Sequence, residues 1–568
     1  MDRQELEQEI ESATLALAAT PNAEQALCNL SFLLLLAERT DEAQQYAEKA
    51  ARLYPKHPTP HTLLGRCLAS REQYTDAIAC FEKALAIEPN NANVLYDLSD
   101  AQQSLGLDRQ AMEVLRSAIL VSPHPRAMVR LAALELVYGD LENAERLCRR
   151  ALRKEPGFAY GHIVMGRVLT EQFKAEEADT HWDQAEQLDP KSIRLRIEKA
   201  TALTATGEFE KAVEQLRIAI EINPNQGAAY LAYSFAKRIK EDDLPLVHQM
   251  ESLISGSAIS AEDRLFLLYA LGKAYDNLGA YQDAIAKFDE ANALKIRELR
   301  IPPFDRDAFK AQVEAKIKLF TPALFRASKD VATDAALPIA VVGMMRSGTT
   351  LAEQMLTGHS QIGGAGEQFF WADYDGEIFD YGRQLFDPNK IQARAREYVR
   401  RLTSIAPGYP NVIDKNPANI QLVGGIHLAL PNMHFIHTRR HAVDTAFSIW
   451  MTPMTTSAPF VCDRSNIVFA HKQLMRLMDH WREVIDPTRF KEIRYEDLVA
   501  TPEPSMRGLL GFCDLEWEEA CIHPESNKRL VKTPSWWQAR QPIHKSSTDR
   551  WKLYEPWLGE FAELQGLF

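Results

Sequence analysis

Six prolines stand 33 or 34 residues apart through the first half of this 568-residue chain, at Pro55, Pro89, Pro123, Pro156, Pro190 and Pro224. Proline stops a helix because it has no amide proton and its ring collides with the preceding turn. A fixed period of this length therefore counts off one supersecondary unit after another, each too small to bury its apolar face without stacking on its neighbours. Other positions keep the same phase. Leu64, Gly65, Ala77, Phe81 and Ala84 lead to Pro89; Leu98, Ser99, Ala111, Leu115 and Ala118 lead to Pro123; Met165, Gly166, Ala178, Trp182 and Ala185 lead to Pro190. Small residues at the Gly and Ala positions let two antiparallel helices approach, while the large apolar residue fills the gap between units.

This pattern resembles the tetratricopeptide repeat (TPR). An earlier unit, with Ala43, Ala47 and Ala50, ends at Pro55, and Ala212, Leu216 and Ala219 lead to Pro224. The phase then weakens and returns at Leu271, Gly272, Tyr275, Ala284, Phe288 and Ala291, so seven or eight units are expected, with an irregular one around residues 226 to 260. The resemblance implies an all-α TPR solenoid over residues 1–297, whose concave surface binds a protein or peptide. Its aromatic and methionine positions read as packing, and nothing in it looks catalytic. Residues 298–336, with Pro302, Pro303 and Pro322, break the period and read as a connector.

A net charge of −13 argues against a general nucleic-acid binder, which needs dense Lys and Arg, so any nucleotide site has to be locally basic. The acidic, amphipathic start MDRQELEQEIESATLALAA lacks the basic flank and apolar centre of a signal peptide. No apolar run approaches the roughly 20 residues that span a bilayer, and a cytoplasmic protein is the expectation. The seven cysteines are scattered without a C-x-x-C pair, as expected of free thiols; no metal is expected.

Residues 337–568 follow a different logic. Short apolar runs at Ile339 to Val342, Met433 to Ile436 and Ile493 to Tyr495 alternate with helical patterns, which predicts an α/β P-loop-like domain with a central parallel sheet and ligands at the strands' carboxyl ends. The segment IAVVGMMRSGTTLAEQML reads as a buried strand, a glycine-bounded turn and a helix opening on Thr349 and Thr350. Unpaired amides at such a helix start hold an anion. A nucleotide-triphosphate loop would place Lys where Thr349 stands. Without it the loop suits a single 5′-phosphate group met by backbone amides and Arg346.

Arg346, Ser347, Gly348, Thr349 and Thr350 resemble the 5′-phosphosulfate loop of sulfotransferases, which use 3′-phosphoadenosine 5′-phosphosulfate (PAPS) as co-substrate. Four later segments continue the resemblance, closest to the tyrosylprotein class. Gly366-Glu367 is similar to that class's G-E motif, which implies that Glu367 is the general base. Lys415, in Asp414-Lys415-Asn416-Pro417, resembles a lysine that stabilises the leaving group. Arg440 and Ser448, eight residues apart, resemble the pair that grips the 3′-phosphate, although His441-Ala442 departs from the usual turn residues. Tyr495, in RYEDL, falls where the family contacts the nucleotide. In the run KTPSWWQARQPIHKSSTDRW, Ser535 matches an active-site serine and Arg550 a nucleotide-binding lysine, an Arg-for-Lys change that alters geometry. Lys532, Arg540, Lys545, Ser546 and Ser547 add cations and hydroxyls suited to a flap over adenosine bisphosphate, and Trp536 and Trp537 could stack or pack.

The resemblance thus implies a PAPS-dependent sulfotransferase acting on an acceptor hydroxyl, protein tyrosine among the candidates, with the repeats recruiting the acceptor or a partner. Two alternatives stay open: a P-loop small-molecule kinase, disfavoured by Thr349, and an inactive TPR scaffold that binds nucleotide. Nothing in the sequence fixes the acceptor or the oligomeric state.

Overall fold

The computed structural model describes residues 3–256, 259–298, 303–328, 333, 338–454, 458–527 and 541–567. The chain forms two compact units, Met1–Pro190 and Lys191–Phe568.

In the first unit the helices come in antiparallel pairs: Glu24–Leu36 with Thr40–Leu53, Pro58–Ser70 with Tyr74–Ile87, Ala92–Ser104 with Asp108–Val121, Pro125–Val137 with Leu141–Lys154, and Ala159–Glu171 with Ala175–Leu188. Each second helix ends two residues before one of the periodic prolines. The close approach predicted for the small positions is physical. A Cβ added to Gly65 would stand 2.6 Å from the ring of Phe81, and one added to Gly166 would stand 2.7 Å from Trp182, both rings being buried.

The second unit opens with another such pair, Ile193–Thr206 and Phe209–Ile222. The expected irregularity follows. Helix Gly227–Ala236 has only ten residues and packs on the long helix Ala261–Leu278, with Leu244–Ser255 between them in sequence. Gly227 is needed there, because a Cβ would stand 2.3 Å from the Asp263 carbonyl oxygen. Helix Tyr281–Glu298 pairs with Ala261–Leu278 through Gly272 and Phe288.

Beyond it lies a five-stranded, all-parallel sheet of β1 (Pro338–Gly343), β2 (Ile362–Gly364), β3 (Asn411–Lys415), β4 (His434–Arg439) and β5 (Phe490–Arg494), in the order β2-β3-β1-β4-β5. β1 is fully buried, as its unbroken apolar run predicts for a central parallel strand. The registers Val341 with Lys415, Gly343 with Thr438 and Arg439 with Arg494 bring the carboxyl ends to one edge. The third predicted strand is displaced: β5 ends at Arg494, and Tyr495 begins helix Tyr495–Ala500.

One apolar core runs through much of this unit. Leu265, Tyr269, Phe288 and Leu294 of the repeat helices belong to the same cluster as Phe320, Phe435, Trp450, Trp481 and Phe561. Polar contacts seal the join. Asn292 Nδ2 donates to the Trp450 carbonyl at 3.0 Å, Trp450 Nε1 donates to Asp289 at 2.8 Å, and the Lys295 ammonium meets the Met454 carbonyl.

Candidate active site at the carboxyl edge of the sheet

The turn between β1 and helix Thr349–Leu356 is held in a shape that most residues resist. Arg346 has φ +67° and Gly348 has φ +98°. Gly348 caps the helix, and a Cβ there would stand 2.5 Å from the ring of Tyr495. Thr349 and Thr350 start the helix and line, with Gly343, Arg346 and Gly348, a cavity of about 620 Å³. Ser347 turns the other way: its hydroxyl lies 3.0 Å from Thr438 Oγ1 on β4, so it fastens the loop to the sheet and is absent from the cavity wall.

Glu367 lies in the coil between β2 and helix Phe370–Ile378, not at the helix start, and its side chain reaches the same cavity. The end of β3 holds that coil in place. Lys415 N–H donates to the Gly366 carbonyl at 2.9 Å, Gln368 N–H donates to Asp414 Oδ1 at 3.2 Å, and Asn416 Nδ2 donates to the Gln368 carbonyl at 2.8 Å. Asp414, fully buried, also accepts from Tyr398 Oη at 2.6 Å and Asn419 Nδ2 at 3.1 Å. Burial pushes its carboxyl up to about 7. The Lys415 ammonium, 1% exposed, sits 2.5 Å from Glu367 Oε1 and 4.0 Å from Glu353 Oε2. The predicted base and the predicted leaving-group cation therefore form one ion pair, of which Glu367 lines the cavity and the buried Lys415 does not.

Arg440 directly follows β4 and Ser448 lies on helix Ala442–Trp450. Arg346 Nε donates to Ser448 Oγ at 3.0 Å, Arg440 Nη1 donates to the Arg346 carbonyl at 3.2 Å, and Arg440 Nη2 donates to the Ser547 carbonyl at 2.6 Å. The Arg440 guanidinium lies 5.2 Å from the Tyr495 ring centre, while its Nε is buried without a partner among the described residues. Two guanidiniums this close repel each other. Burial and Arg440 together bring Arg346 down to about 10, as expected of cations gathered for an anion.

A second cavity of about 360 Å³ is lined by Arg346, Arg440 and Ser448, together with Arg550. Arg550 is paired with Asp276, which also accepts from Tyr554 Oη at 2.6 Å. The structure thus gathers Arg346, Gly348, Thr349, Thr350, Glu367, Lys415, Arg440, Ser448 and Tyr495 at one edge and places Arg550 on the wall of the smaller cavity. Ser535, with Lys532, Trp536, Trp537 and Arg540, lies outside the described residues. Spacing alone did not mark Asp414 and Asn416 as the residues that position Glu367, although both stand beside Lys415 in the segment that drew attention to it. Among the described residues no group of three His, Cys, Asp or Glu side chains is arranged to hold a metal ion, and no helix is long and apolar enough to cross a membrane.

Comparison with known proteins agrees with this architecture. Residues 338–519 match the model of the sulfotransferase family, and residues 33–92, 68–134 and 193–226 match tetratricopeptide-repeat models. A protein of Aquifex aeolicus, named only as uncharacterized, is 26% identical over 94% of this chain and 73% of its own length. An omega-hydroxy-beta-dihydromenaquinone-9 sulfotransferase of Mycobacterium tuberculosis is 47% identical over 11% of this chain and 16% of its own length. A protein-tyrosine sulfotransferase of Drosophila melanogaster is 24% identical over 33% and 40%. The chain therefore spans less than half the length of either sulfotransferase. It joins tetratricopeptide repeats to a sulfotransferase-family domain.

Proposed function

We propose that the domain transfers a sulfuryl group from PAPS to an acceptor hydroxyl. The observation that carries this reading is the convergence of the glycine-bounded loop, the Glu367–Lys415 ion pair and the Arg346–Arg440–Ser448 cluster on one edge of a parallel sheet. The residues present fit the nucleotide. The loop offers helix-start amides without a triphosphate lysine, and the buried, unpartnered Arg440 Nε is a donor in want of an anion.

PAPS would supply the sulfuryl group and leave as adenosine 3′,5′-bisphosphate. Residues Arg346 to Thr350 would hold its 5′ end, with Ser347 anchoring the loop, and Arg440 and Ser448 its 3′-phosphate. Tyr495, which lines the cavity beside Gly348, would contact the nucleotide, and Arg550 would add charge. Glu367 would accept the proton of the attacking hydroxyl, and the Lys415 ammonium would stabilise the negative charge that develops at the leaving oxygen. Ser535 would assist there. The reaction so written needs no metal.

Phe304, Phe309 and Phe460 also line the cavity, and such apolar rings suit an aromatic acceptor such as a tyrosine side chain. The repeats would recruit a protein or peptide that presents it. The domain limits read from the sequence, 1–297, 298–336 and 337–568, and a cytoplasmic location belong to the same proposal.

Incubation with 35S-labelled PAPS and a tyrosine peptide tests the reading. Labelled peptide is expected from the natural chain, with kcat lowered about 10²- to 10⁴-fold in Glu367→Gln, as for loss of a general base. Phosphoryl transfer from ATP in place of sulfuryl transfer would overturn it.

A further inference from the structure

The smaller cavity is bounded partly by the sulfotransferase-family domain and partly by the repeat helices that share its core. From the first side come Arg346, Arg440 and Ser448. From the second come Lys273, on helix Ala261–Leu278, and Arg238, in the turn after helix Gly227–Ala236. Two carboxylates also line it: Asp276 holds Arg550 and Tyr554, and Asp444, beside Arg440, accepts the Trp551 backbone N–H at 2.8 Å with one oxygen while its other oxygen has no hydrogen-bond partner among the described residues. Lys273, by contrast, makes no hydrogen bond or ion pair among the described residues. Burial, with the repulsion of Arg550, Arg346 and Arg238, brings its ammonium down to about 8, despite Asp276 nearby.

A half-enclosed site whose cations outnumber its carboxylates costs free energy unless an anion arrives to meet it. We infer that Lys273, with Arg238 beside it, completes the binding site for the nucleotide's 3′-phosphate, so that the repeats contribute directly to co-substrate binding. This inference rests on the sulfotransferase reading above. It adds to the Arg440–Ser448 pair a cation that no sulfotransferase-domain segment contains. Its consequence is that the last repeat is a wall of the active site as well as part of a recruiting surface.

Titration calorimetry on the full chain separates the two ideas. Adenosine 3′,5′-bisphosphate and adenosine 5′-monophosphate are each titrated into the natural protein, Lys273→Gln and Lys273→Arg. The natural protein is expected to prefer the bisphosphate. Lys273→Gln is expected to weaken the bisphosphate about 10- to 100-fold, as for a lost hydrogen bond between charged groups. It should leave the monophosphate within a factor of two, and Lys273→Arg should retain most of the preference. Equal weakening of both ligands would mark a structural role and overturn the inference. So would an unchanged bisphosphate affinity in Lys273→Gln, which would leave the sulfotransferase reading intact. A natural protein that does not prefer the bisphosphate would remove that reading, and the inference with it.

Discussion

Glu367 owes its position to a buried residue that does not line the cavity. Asp414 is buried among three donors, one of them the backbone N–H of Gln368, and burial lifts its carboxyl to about 7. An unfolded aspartate titrates near 3.9, so the group binds its proton more tightly when folded. Its stabilising contribution is full below about pH 4 and is lost as pH rises through 7. Urea midpoints at pH 5.5 and 8 check this: the stability of the natural chain relative to Asp414→Asn is expected to fall between the two, and a constant or rising difference would contradict it. Gly348 makes a second case. With φ +98° and Tyr495 in the way of a Cβ, Gly348→Ala is expected to cost about 1–3 kcal/mol of strain, read as weaker nucleotide binding. The loop was legible in sequence because glycine and threonine spacing encodes backbone shape. The orientation of Ser347 was not, since only the register of β1 with β4 places Thr438 against its hydroxyl.

At the level of elements, the proline period foretold the helix pairs because it records packing within a unit, Gly65 on Phe81 and Gly272 on Phe288. It was silent on what covers the last pair. Asp276, Asp289, Asn292 and Lys295 of that pair meet Arg550, Trp450 and Met454 from segments more than 150 residues away. Sequence patterning tells apolar from polar faces but does not say which polar groups find a buried partner. Asp276→Ala would leave the Arg550 guanidinium without its carboxylate. Because Arg550 is partly exposed, a cost of about 2 kcal/mol is expected, below the range for fully buried pairs. Chemical denaturation of the full chain measures it, and a cost under about 0.5 kcal/mol would show the pair to be superficial.

For the molecule as a whole, the shared core sets what can be cut. A fragment of residues 191–568 keeps the cluster that joins Tyr269 and Phe288 to Phe320, Trp450 and Phe561, whereas residues 298–568 lose its repeat side. The longer fragment is expected to unfold cooperatively and the shorter one to aggregate; a soluble, cooperatively unfolding shorter fragment would show that the repeat helices are dispensable. The change in period near residue 297 marks where the repeat pattern stops in the sequence. The compact unit nevertheless starts at Lys191, because stacked repeats bury apolar surface against whatever follows them.

The central claim is a site for an adenosine bisphosphate built around Arg440. Its most direct test is calorimetric titration of the full chain with adenosine 3′,5′-bisphosphate and, separately, with ATP and magnesium, repeated on Arg440→Ala. The expected result is binding of the bisphosphate, weakened about 30-fold or more in the variant, as for loss of a buried charged contact, with ATP ignored. Binding of ATP with magnesium in preference to the bisphosphate would contradict the account and favour a kinase.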